Sequence, residues 1–94
     1  MDPKPLHPDV LEFVSSLQKL ETILLKYEQD FWAGKLSRVR QTAEKSDGYC
    51  VKLFEGLFGG MGSFNDLTLE ASASANKEFA AERTRAYELA QALK

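Results

Sequence analysis

The side chains that could carry chemistry are few, and most lie in one stretch. Ser63 follows Gly59-Gly60-Met61-Gly62 and precedes Phe64-Asn65-Asp66-Leu67. A serine on a glycine-rich turn suits a nucleophile only if a base lies within hydrogen-bond reach. The sole histidine, His7, sits far upstream in a proline-rich arm, so no such pair is expected. Asn65, Asp66 and Glu70 supply oxygen ligands without the spacing of a calcium loop, and neither a metal nor a cofactor is expected. The backbone amides of Gly59–Ser63 could instead form a nest for an anion such as phosphate. Against that, no Lys-Ser/Thr follows the last glycine, and the loop comes after an expected helix, not between a strand and a helix. A turn that is structural alone is the simpler reading. These residues do not compose an enzyme.

Contact with another protein is the alternative use of the same loop. Gly60, Met61, Gly62, Ser63, Phe64, Asn65 and Asp66 form a candidate binding loop, with Phe64 as an exposed aromatic anchor on a rigid turn. A second candidate surface lies upstream. Lys35, Arg38, Thr42 and Lys45 recur at helical spacing and present either a solvated face or a docking face for an acidic partner. An Arg40–Glu44 pair beside them supports the helix.

Charge points the same way. The chain has 94 residues, a net charge of −2 and 28% charged residues. Residues 1–30 sum to −3, residues 31–52 to +3 and the remainder to −2. Such a balance lacks the clustered basic footprint of a nucleic-acid binder. No apolar run is long enough to span a bilayer, and no signal peptide is evident at the start, so a cytoplasmic protein is expected. The single cysteine, Cys50, has apolar neighbours and reads as a small core residue.

Periodicity defines the elements that must hold these surfaces. An extended arm over residues 1–7 precedes a single helical domain over 8–94. Pro8 suits a first helical turn, and Val10, Phe13, Leu17, Leu20, Leu24, Tyr27 and Phe31 follow at spacings of three and four. That seam predicts a long first helix, with Leu11, Val14, Ile23 and Leu25 flanking it. Trp32, Leu36, Val39 and Ala43 form a new stripe, out of phase, so Gly34 and Phe31-Trp32 mark a break before a helix over about 31–45. Gly48 reads as a left-handed residue and Asp47 as a cap. Tyr49–Phe58 is apolar on almost every side and should form a central helix closed by Gly59. Phe64, Leu67 and Leu69 read as anchors after the loop, with Asn65-Asp66 bonding local amides. Ala71–Ala75 reads as a link, Asn76 as the cap of a last helix, and Glu82–Arg85 as a pair on it. Its face of Phe79, Arg83, Ala86, Ala90 and Leu93 is thin in large residues, so it should pack as an outer layer. The fold class predicted is all-α: a small bundle of about four helices with a Gly-rich loop between helices 3 and 4.

Gly59-Gly60-Met61-Gly62-Ser63-Phe64-Asn65-Asp66-Leu67, with Trp32 and Leu36 upstream, resembles the signature of a family of small bacterial proteins of unknown function. The resemblance covers roughly residues 17–70. It implies an all-helical domain and no reaction. In size, acidic flanks and lack of catalytic groups the chain is also similar in type to immunity proteins that block bacterial toxins. The expectation is therefore a non-enzymatic interaction domain, monomeric or homodimeric, whose partner is another protein such as a cognate toxin. A small-ligand or anion-binding module at Gly59–Ser63 is the alternative.

Overall fold

The structure, a computed structural model, describes residues 7–45, 48–58 and 63–93. It is a small all-α bundle: α1 (Pro8–Lys26), α2 (Asp30–Glu44), α3 (Tyr49–Glu55) and α4 (Ala73–Ala92), with a 3-10 turn at Phe64–Asp66. Helix α1 packs on α2 and α4, and α3 packs on the same two, which closes a ring of four. No helix of the described residues is long and apolar enough to cross a membrane.

Helix α1 begins where its chemistry is cheapest. Pro8 occupies a position whose N–H would have no helical partner, and His7 Nδ1 accepts from the Asp9 amide at 3.1 Å. Phe13, Leu17, Leu20 and Leu24 are fully buried, as the seam predicts. The helix stops earlier than the seam does. Phe31 is 68% exposed and belongs to α2, and Gly34 lies inside α2 with open space around it. The break falls instead at residues 27–29. Gln29 N–H reaches Leu24 C=O at 2.8 Å and Glu28 N–H reaches Leu25 C=O at 3.2 Å, a Schellman closure. Its left-handed position is held by Glu28, at φ 60°, where glycine is the usual residue. The sequence carried no glycine there to betray it.

Helix α2 buries Ala33, Leu36, Val39 and Ala43, and its Trp32 is half-buried, the stripe expected of it. One ion network bolts it to α1. Arg40 Nε donates to Glu21 Oε2 at 2.5 Å, Nη2 to Glu21 Oε1 at 3.2 Å and Nη1 to Glu44 Oε1 at 2.5 Å. The hydrogen bonds to Glu21, then those to Glu44, raise the guanidinium pKa above its ordinary value.

Gly48, which caps α3, has φ −60° and is not left-handed; Ser46 and Asp47 lie outside the described residues. Helix α3 ends at Glu55 with Gly56 as its cap, earlier than Phe58, and the expected closing residue Gly59 also lies outside the described residues. The Leu57 and Phe58 amides then bond the carbonyls of Phe54 and Glu55, each at 3.0 Å, tightening the exit. Cys50, Val51 and Phe54 face the core.

Helix α4 starts inside the supposed Ala71–Ala75 link. Ser72 is its N-cap, with Oγ accepting from the Ala75 amide at 3.1 Å. Phe79, Ala86 and Ala90 are buried, and the small alanines let α4 lie close to its neighbours. Glu82 does not pair with Arg85 but accepts from the buried Ser16 hydroxyl of α1 at 2.5 Å. An aromatic chain crosses the interior: Phe13–Phe54, Phe54–Phe58, Phe58–Phe64 and Phe64–Phe79, with centroids 5.0–5.7 Å apart and edge-to-face geometry.

Candidate functional site

The candidate binding loop is known here by its outgoing half. Gly60, Met61 and Gly62 lie outside the described residues, as does the side chain of Asp66. Ser63 is half-buried, and its Oγ is shielded from solvent with no hydrogen-bond partner among the described residues. Phe64 corrects an expectation. It is fully buried, with its ring 5.2 Å from Trp32 and 5.7 Å from Phe79. A side chain enclosed by Trp32 of α2, Phe58, and Phe79 and Arg83 of α4 cannot serve as an exposed anchor. Asn65 is exposed and its side chain makes no hydrogen bond among the described residues, so it does not hold the turn as an Asx residue would.

Two side chains of α4 hold the loop instead. Arg83 Nη1 donates to Phe64 C=O at 2.9 Å and to Leu67 C=O at 3.1 Å, closing both ends of the 3-10 turn. Its guanidinium lies over the Phe79 ring, 4.9 Å from the centroid. Asn76 is a clamp and not a cap. Its Oδ1 accepts from Leu69 N–H at 2.7 Å, and its Nδ2 donates to Leu69 C=O at 3.0 Å and Ser72 C=O at 3.2 Å. Thus the amide satisfies both backbone groups of Leu69, as a neighbouring strand would. On the α3 side, Phe64 N–H bonds Leu57 C=O at 2.8 Å. Phe58, Asn65, Arg83, Thr84 and Tyr87 line an open cleft of about 360 Å³ over this strap.

His7 lines a different cavity, with Val10, Gly48, Cys50 and Leu93, and Ser63 is not among its walls. Among the described residues no three His, Cys, Asp or Glu side chains gather to hold a metal ion.

The α2 surface is a different matter. Lys35, Arg38 and Lys45 are exposed, and Thr42, half-buried between them, donates to Arg38 C=O at 3.0 Å. No carboxylate pairs with the three cations among the described residues, whereas the neighbouring Arg40 is doubly paired. Phe31 extends the stripe one turn further: residues 31, 35, 38, 42 and 45 follow at spacings of four and three. Lys35 Nζ lies 5.3 Å from the Phe31 ring centroid. Beside the stripe, Lys35 and Arg38 rim a shallow groove with Val39, Leu53 and Leu57. Phe31 escaped the sequence reading because it also continues the seam of α1; only the Glu28 turn assigns it to the outside.

The fold and its strapped loop define a small all-helical domain. The chain belongs to a family described as a domain of unknown function, DUF6966, whose model matches residues 25–77. That span takes in the Glu28 turn, all of α2 and α3, the loop and Asn76. No curated protein and no solved structure matches the chain.

Proposed function

We propose that this chain is a non-enzymatic protein-interaction domain whose partner presents an acidic surface to helix α2. The observation that carries this reading is the stripe of Phe31, Lys35, Arg38, Thr42 and Lys45, with three cations that no carboxylate pairs among the described residues, beside a large exposed aromatic ring. Charges left unpaired on a rigid helix steer and orient a partner of opposite sign, and an aromatic at the end of the row supplies buried area. The groove floored by Leu53 and Leu57 gives an apolar side chain of the partner somewhere to sit. In bacteria an inhibitor of the immunity type, bound to its toxin, would use a surface of this kind.

Co-expression with the products of neighbouring genes tests it. The expected result is a stable complex that dissociates as salt rises. A complex indifferent to charge reversal at Lys35, Arg38 and Lys45 would contradict it. One observation favours a second reading: the Ser63 hydroxyl is buried without a partner among the described residues, beside glycines whose amides could hold an anion. A melting temperature that climbs with phosphate or nucleotide concentration would support that reading.

A further inference from the structure

The outer face of α1 carries an uncharged stripe. Leu11, Ser15, Gln18, Thr22 and Leu25 are all exposed and follow at spacings of four and three. At 3.6 residues per turn they fall within an arc of about 80° and span about 21 Å along the axis. Leu11 is 51% and Leu25 58% exposed, on a helix whose opposite side supplies the core. The stripe reads the same in both directions by residue type: leucine, hydroxyl, glutamine, hydroxyl, leucine. A two-fold axis at Gln18 sets Leu11 against Leu25 of a second copy, Ser15 against Thr22, and Gln18 against its own equivalent.

The charges at the border obey the same symmetry. On the α4 side of the stripe, Glu12 lies about 9 Å before Gln18 along the helix and Lys26 about 12 Å after it, so a two-fold axis brings each Glu12 within about one turn of the Lys26 of a second copy. Lys19 lies close to the centre, where it would face its own equivalent. It borders a groove that also contains Glu78 and Glu82 of α4, and those carboxylates offset the repulsion between the two lysines. On the α2 side the charged residue next to the stripe, Glu21, is already neutralised by Arg40.

We infer that α1 is an isologous interface at which two copies of this chain associate with antiparallel α1 helices. A self-complementary patch is what a closed two-fold dimer requires, and a different protein would have no need of a stripe symmetric about one residue. One helix face is smaller than a standard interface, so the association is expected to be weak and reversible. The partner face on α2 is separate and the two associations are independent.

Sedimentation velocity on the full chain between about 10 µM and about 1 mM tests it. The expected result is a shift from 10.5 kDa toward twice that mass. Leu11→Glu with Leu25→Glu should raise the dissociation constant at least about tenfold while leaving the melting temperature in place, because both positions are exposed. In a Cys50→Ala background, Gln18→Cys should form a disulfide-linked dimer, and Ser15→Cys should not, because its counterpart is Thr22. A chain that stays monomeric to about 1 mM overturns the inference and leaves the stripe to another protein or to solvent. Equal cross-linking at positions 15 and 18 overturns the antiparallel arrangement.

Discussion

At the scale of single residues, Asn76 ties the end of the loop to α4. It satisfies Leu69 on both sides and anchors the start of α4. Asn76→Ala strands a part-buried amide and carbonyl, so it should cost about 1–3 kcal/mol in denaturant melts. Ser72→Ala, which removes the actual cap, should cost about 1 kcal/mol. An order reversed between the two would return the capping role to Asn76. Glu28 makes the opposite prediction. A left-handed glutamate is strained, so Glu28→Gly should raise stability by up to about 1 kcal/mol while Glu28→Val lowers it. Neither residue was legible beforehand. Asn is a good cap and a good clamp, and only the path of Leu69 decides between them; Glu28 disobeys its own propensity because the closure around it is over-determined.

At the scale of elements, apolar spacing was a reliable guide wherever burial follows from one face of a helix. Phe13, Leu17, Leu20 and Leu24 on α1, and Leu36, Val39 and Ala43 on α2, are the side chains their periodicity chose. Boundaries were harder, since they depend on backbone closure: Ser72 competes with Asn76, and Gly56 with Gly59, for the same task. Cross-helix polar ties were invisible because nothing in the sequence announces that Arg40 faces Glu21 or that Ser16 faces Glu82. The Arg40–Glu21 tie should be measurable. Its Glu21 side chain is 13% exposed, so Arg40→Ala strands a largely buried carboxylate and should destabilise by about 1–3 kcal/mol. A double-mutant cycle with Glu21→Ala should return a coupling of about 1 kcal/mol or more. Additive losses would mean that the pair is screened as an ordinary surface contact.

At the scale of the whole molecule, the structure divides the two candidate sites by burial. The loop turns its aromatic inward and is bound to α4 by Arg83 and Asn76, so what was read as an anchor is part of the core. The α2 face turns its aromatic and its cations outward. Helical spacing alone made that face legible, but whether its charges were paired could not be read without the positions of Glu21 and Glu44. The most direct test places a photo-cross-linking residue at Phe31 in the native host, with and without Lys35→Glu, Arg38→Glu and Lys45→Glu. The account predicts one dominant protein adduct to an acidic partner, weakened at least about tenfold by the three reversals. The isolated variant should melt within a few degrees of the parent, because all three positions are exposed. An adduct equally strong in the reversed variant, or none from position 31 while a residue of the loop cleft such as Thr84 cross-links, would contradict it.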